Sequence, residues 1–194
     1  AFDLIVSNPP FVITPRVDGV PEYEYRDGGL VGDALVEQFV RTAPSYLTAG
    51  GAAQLLGNWE SRVVESGLDR LSSWVPADVD LWVIQREELS PLGYAELWIR
   101  DGGTTPRDAA FTRLLTAWLD DFEERGVSAV GFGYILLRRP ANPTATPLRR
   151  IERMPQPVSN VGGALRQGLE AHDLLADGLP TTLFTASDVT EARH

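Results

Sequence analysis

Four of the five residues from Phe2 to Val6 are apolar, and the run halts at Ser7-Asn8-Pro9-Pro10. Such a run predicts a strand buried on both faces of a parallel sheet. The prolines end it, because neither has an N–H for a ladder and each biases the residue before it toward extended backbone. Residues 14–31 are rich in Pro, Gly and charge and predict a long loop of the kind that tends to carry function. Asp33 then offers a cap to a helix with Leu35, Val36, Phe39, Val40 and Ala43 on one face, perturbed at its end by Pro44. Gly50-Gly51 predicts a turn into a strand over Ala52 to Leu56, closing at Gly57-Asn58-Trp59-Glu60. A helix from about Glu60 to Trp74 is expected next, with Val63, Val64, Leu68 and Leu71 inward and Pro76 closing it.

Val79 to Ile84 is apolar at both parities and predicts another buried strand. Ser90-Pro91 opens a short helix through Trp98 by cap-then-proline logic. Thr105-Pro106-Arg107-Asp108 reads as the start of a helix whose buried stripe is Leu114, Leu115, Trp118, Leu119 and Phe122. Gly126 stops it, and Ala129 to Leu137 is the last strong strand. Strand, helix, strand, helix, strand, two helices and strand describe one half of an open α/β sheet. Past Arg139 the character changes. Pro140-Ala141-Asn142-Pro143 and Pro147 read as a linker, Val161 to Leu175 as a helix, and Thr181 to Phe184 as a further strand. The expected division is therefore 1–139 and an appendage, 140–194.

Composition narrows the chemistry. With 194 residues, 43% of them hydrophobic and 23% charged, the chain can bury a core. A net charge of −10 disfavours broad attraction to nucleic acid or anionic membrane. Arg138, Arg139, Arg149, Arg150 and Arg153 nevertheless cluster, either as a patch for RNA phosphates or as a counterweight to the acidic remainder. The absence of Cys excludes disulfides, thiolate catalysis and Cys-based metal sites, and His172 and His194 are the two imidazoles. No metal site and no Ser-His-Asp arrangement is expected, and no run of apolar residues is long enough for a membrane helix. Gly50-Gly51, Gly131-Phe132-Gly133 and Gly162-Gly163 each lack the strand-before, helix-after setting and the third glycine of a dinucleotide-binding turn.

The chemistry concentrates at Asn8-Pro9-Pro10-Phe11. An extended corner leaves two acceptors free, the Asn8 side-chain oxygen and the Pro9 carbonyl, with the flat face of Phe11 beside them. That set suits a planar –NH2 group, whose nitrogen is a poor nucleophile while its lone pair is delocalised. Two acceptors holding its hydrogens at about 2.9 Å orient the nitrogen for attack on an electrophilic methyl.

Asp3, the apolar run and Asn8-Pro9-Pro10-Phe11 together resemble the [DNS]-P-P-[YFW] motif of class I S-adenosylmethionine-dependent N-methyltransferases. Phe2 to Pro10 is most similar to the glutamine methyltransferases of peptide-release factors, while Phe at the fourth position also occurs among rRNA base methyltransferases. The resemblance covers about Phe2 to Arg138 and implies a Rossmann-like sheet of which this chain holds strands four to seven. The family's last strand is inserted antiparallel between the fifth and sixth. It further implies S-adenosylmethionine as cofactor, Asn8 and Pro9 as catalytic acceptors with Asn8 also on the cofactor side, and Pro10 and Phe11 against the substrate. A protein glutamine or an RNA or DNA base would be the acceptor, and the cytoplasm the setting. Tyr25 and Arg26, in a loop whose glycines lie where those glutamine methyltransferases shape their substrate pocket, either touch substrate or are solvated. Trp59 faces the same crevice as Asn8 or is the first core residue of the following helix. The competing reading is a noncatalytic interaction module that keeps the corner for folding.

The chain enters a buried-type strand at once from Ala1, which by the resemblance places three strands and the cofactor's Gly-rich loop upstream. By itself it is expected not to bind S-adenosylmethionine tightly. Its first strand would expose an edge suited to self-association or to cover by its own tail.

Overall fold

A computed structural model describes residues 1–156 and 160–176, in two units, Ala1–Val158 and Ser159–His194. In the first unit β1 (Phe2–Ser7), α1 (Ala34–Thr42), β2 (Leu47–Arg62), α2 (Gly67–Trp74) and β3 (Asp80–Leu89) alternate. They are followed by α3 (Pro91–Asp101), α4 (Ala109–Glu124), β4 (Val127–Arg138) and β5 (Arg149–Arg153). The described part of the second unit is one helix, α5 (Val161–Ala176), close to the expected bounds. The strand expected over Thr181 to Phe184 lies outside the described residues, as does His194.

The sheet order is β1-β2-β4-β3-β5. β1 runs parallel to β2 and β5 parallel to β3, while β4 is antiparallel to both its neighbours, β2 and β3. This mixed α/β sheet is compatible with a Rossmann-like methyltransferase fold. Side-chain alternation sends Ala53, Leu55, Trp59, Leu81, Val83, Ile135 and Leu137 into one core, where Val36 and Val40 of α1 and Leu68, Leu71 and Trp74 of α2 meet them. A second core gathers Tyr94 and Ile99 of α3 and Leu114, Trp118 and Phe122 of α4 with Val12, Ile13 and Val130. Each fully buried aliphatic or aromatic side chain contributes about 1.5–3 kcal/mol.

Several local expectations give way to the sheet. β1 is an edge strand, so Phe2, Leu4 and Val6 are 59%, 59% and 69% exposed and Ile5 carries its packing on the core. β2 runs straight through Gly50-Gly51, where a turn is expected, because Arg139 holds both glycines: Gly50 N–H donates to its carbonyl at 2.8 Å, and its N–H donates to the Gly51 carbonyl at 3.0 Å. Gly50 takes φ +79°, and a Cβ on Gly51 would stand 2.8 Å from the Phe2 carbonyl. Pairing with β4 carries β2 to Arg62, so the helix expected from Glu60 shortens to α2, capped by Ser66, whose hydroxyl accepts from Asp69 N–H at 3.1 Å. Val63 and Val64 are left 80% and 93% exposed in the turn.

α3 starts as expected, with Ser90 Oγ accepting from Gly93 N–H at 3.2 Å. α4 starts four residues later than Thr105: Asp108 is its N-cap, and Thr105 donates to the Asp108 carboxylate through both N–H and hydroxyl at 2.7 Å. Those two bonds hold the Asp108 carboxyl below its ordinary value. Gly126 ends α4 at φ +66°. The sheet also continues past the segment read as a linker, since Leu81 to Gln85 of β3 pair with Arg149 to Arg153.

The glycine pair in β4 has a packing origin. A Cβ on Gly131 would overlap the Trp59 indole, and one on Gly133 would overlap the Ile84 carbonyl. Gly131→Ala is therefore expected to lower stability by about 1–3 kcal/mol through overpacking, with Gly162→Ala, where a Cβ meets open space on α5, as the comparison that creates no overlap. Urea denaturation of the two variants checks this, and equal midpoints would contradict it.

Candidate functional site

β1 ends at Ser7 opposite Leu55, but β2 continues to Arg62, so Asn8 to Phe11 leave the sheet along the bare flank of β2. Asn8 is exposed, and Pro9, Pro10 and Phe11 are half-buried. Among the described residues none donates a hydrogen bond to the Asn8 side chain or the Pro9 carbonyl, and Asn8 is on the surface. The corner is clamped immediately downstream. Val12 N–H donates to the Arg26 carbonyl at 2.8 Å, and Ile13 N–H donates to the Tyr94 hydroxyl at 3.0 Å. Gly28 lies against the corner so closely that a Cβ there would stand 2.8 Å from the Pro10 carbonyl and 2.6 Å from Leu35 Cδ2. The long loop thus folds back to hold the motif in place.

Phe11 packs one side on the core beneath α1 and sets its ring 5.5 Å from that of Phe132, tilted by 35°. Together with Asn58, Tyr94, Trp98 and Glu87 these rings line a cavity of about 200 Å³. Asn58 is fixed there at both ends of its amide: Nδ2 donates to the Gly131 carbonyl at 3.0 Å and Oδ1 accepts from the Tyr94 hydroxyl at 3.2 Å. Burial pushes the Tyr94 phenol well above its ordinary range, so it stays a neutral donor. Trp59, one residue on, points to the other face by strand alternation and is 0% exposed beneath Gly131 and Gly67. It is a core residue of β2 and offers no surface to a crevice.

Tyr25 and Arg26 serve the loop. Arg26 is buried, and its Nη1 donates to the carbonyl of Trp98 at 3.0 Å and to Asp101 at 2.5 Å, satisfying the C-terminus of α3. Its guanidinium lies 4.1 Å from the Tyr23 ring centre. Tyr25 is exposed and donates to the same Asp101 at 3.3 Å. Neither lines the Phe11 cavity.

Beside the corner lies an ion-pair network that no sequence pattern announces. Asp33 does not cap α1 with its side chain. Its carboxylate instead accepts from Arg70 at 2.6 and 3.1 Å and from Glu60 N–H at 2.8 Å. Glu60, 0% exposed, accepts from Arg125, and Arg125 donates in turn to Asp121 at 2.5 Å. Burial first, and the Asp33 charge second, push the Glu60 carboxyl up from its ordinary value. Gly32, at φ +60°, lets the loop backbone lie on this network, where a Cβ would stand 2.9 Å from Glu60 Oε1. Both ends of the Gly28 to Asp33 loop are thereby fixed.

Among the described residues there is no cluster of potential metal ligands and no helix long and apolar enough to cross a membrane. No family model matches the chain. Over 58 residues it is 34% identical to a candidate protein N5-glutamine methyltransferase of Methanocaldococcus jannaschii. The similarity is partial. It takes in 28% of this chain and 29% of that protein, so the chain spans less than a third of its relative's length. At that extent it supports a methyltransferase relationship at most.

Proposed function

We propose that the corner Asn8-Pro9-Pro10-Phe11 is the acceptor site of an S-adenosylmethionine-dependent N-methyltransferase acting on a planar amide, with a protein glutamine as the first choice of substrate. The observation that carries the reading is the pair of acceptors, Asn8 Oδ1 and the Pro9 carbonyl, which no described residue engages although the residues on either side are tightly held. Bound S-adenosylmethionine supplies an electrophilic methyl group. Asn8 Oδ1 and the Pro9 carbonyl would accept hydrogen bonds from the two N–H groups of the amide, draw its nitrogen out of conjugation and orient it. Phe11 would cover one face of the amide, its other side fixed on the core.

The arginine cluster favours a protein over a nucleic acid. Arg138 pairs with Asp80 at 2.6 Å, Arg139 donates to the Leu47 carbonyl at 3.3 Å, Arg149 donates to the carbonyls of Val79 and Pro76, and Arg150 pairs with Glu152 over the Trp82 ring. Four of the five cations are spent on the fold, and an overall charge of −10 repels phosphates.

The test is transfer of a labelled methyl group from S-adenosylmethionine by the natural full-length protein, offered a release factor in one arm and ribosomal RNA in the other. Label in the protein arm, released as N5-methylglutamine on digestion, is the expected result, and label in neither arm would refute the proposal. In the same assay Phe11→Tyr should keep activity, while Phe11→Ala should lose about 0.5–1.5 kcal/mol of substrate binding, seen in KM. Equal KM in both variants would make Phe11 a packing residue only.

A further inference from the structure

We propose that the cavity beside Phe11 is a subsite for a cationic side chain of the polypeptide substrate, an arginine or lysine flanking the acceptor. The inference rests on the N-methyltransferase reading for its place in catalysis, but its chemistry stands on the cavity itself. The walls are aromatic and aliphatic: Phe11, Phe132, Trp98, Tyr94, Leu89 and Val130. The one charged lining residue is Glu87, and among the described residues its carboxylate has neither an ion-pair nor a hydrogen-bond partner. The neighbouring Glu88 bonds Gln85 at 3.4 Å. A carboxylate in an aromatic-walled cavity suits a cation, which aromatic rings attract through their quadrupoles and the carboxylate meets with a charge-assisted hydrogen bond.

Asn58 adds a second acceptor. Its Oδ1 takes one hydrogen bond, from Tyr94, and keeps a lone pair for another donor, while its Nδ2 is held by Gly131, so the amide cannot turn over to present donors instead. The cavity is therefore built for N–H donors. Charge decides between a cationic side chain and a neutral base edge: no arginine lines the cavity, and the chain carries a net −10, so a basic polypeptide is drawn in while a polyanion is repelled. A volume of about 200 Å³ exceeds what a primary amide alone would fill and leaves room for the stem and head of a basic side chain.

The experiment reads binding without methyl transfer, so its failure and that of the proposed activity are separable. The chain is labelled at its tryptophan indole nitrogens, the Trp98 resonance is assigned with Trp98→Phe, and the protein is titrated with acetyl-Gly-Gln-Arg-amide. The same peptide with citrulline, which keeps the shape and removes the charge, is the comparison, and adenosine monophosphate is the third ligand. The Trp98 resonance is expected to shift with the arginine peptide, about tenfold more weakly with citrulline, and not with the nucleotide. Glu87→Gln, an exposed substitution, should bring the two peptides level while the other four indole resonances stay in place. Equal binding of arginine and citrulline peptides by the parent chain, a response to the nucleotide alone, or no shift with any ligand would each overturn the proposal.

Discussion

Asn8→Ala is expected to lower kcat for methyl transfer by about 10²–10³-fold, the loss of about 2.7–4 kcal/mol seen when one preorganised polar contact to a transition state is removed. Its thermal midpoint should not move, because the Asn8 side chain is exposed and has no described partner to lose. The Pro9 carbonyl survives the substitution, so a residue of activity should remain. Asn8→Asp keeps an acceptor and should fall less far. Transfer of labelled methyl by the natural full-length protein, alongside calorimetry, measures both halves. An unchanged rate would remove Asn8 from the reacting centre, and a lowered midpoint would make it a folding residue.

The second large effect is on stability. Arg70→Met leaves the Asp33 carboxylate buried beside Glu60 without the cation that holds it, a loss of about 3–5 kcal/mol, or about 6–20 °C in midpoint for a chain of this size. The effect carries a pH signature. Glu60 has a folded pKa above the ordinary 4.5, so between those two values the folded chain binds a proton that the unfolded chain does not. Its contribution to unfolding free energy therefore falls as pH rises through that window and is relieved as pH returns toward 4.5. Removing Arg70 should deepen this slope, with a larger deficit at pH 7.5 than at pH 5, and adding Glu60→Gln should flatten it. Urea titrations at the two pH values check the prediction, and a deficit independent of pH would mean that Arg70 matters for packing alone.

The corner was legible in the sequence because its causes are local: two prolines deny the ladder its donors, and an asparagine sits immediately before them. The helices α3 and α4 were legible for a similar reason, their stripes and Ser90-Pro91 start being short-range features. What periodicity missed depends on distant partners. Gly50-Gly51 looks like a turn until Arg139, far along the chain, pairs with it. Asp33 looks like a helix cap until Arg70 reaches it. Val63 and Val64 fit a helical stripe, but the pairing of β2 with β4 carries the strand to Arg62 and strands them in a turn. Asn58 and Trp59 read as a pair at a strand end, and extension of the strand sends them to opposite faces. The Glu87 cavity has no linear signature at all, since its walls come from the corner, three strands and α3.

The placement of β4 between β2 and β3 has a consequence for the chain as it is made. β2 and β3 follow one another in sequence yet never pair, and the strand that joins them is synthesised after both. About 65 residues separate the end of β2 at Arg62 from the start of β4 at Val127. At about 5–20 residues per second that is a wait of roughly 3–13 s on the ribosome, during which Leu55, Trp59, Leu81 and Val83 belong to two unconnected pieces of apolar backbone. The nascent chain therefore passes through an interval in which it resembles a client for a holding chaperone, and that interval closes in one step when Val127 to Arg138 emerge and zip both ladders together.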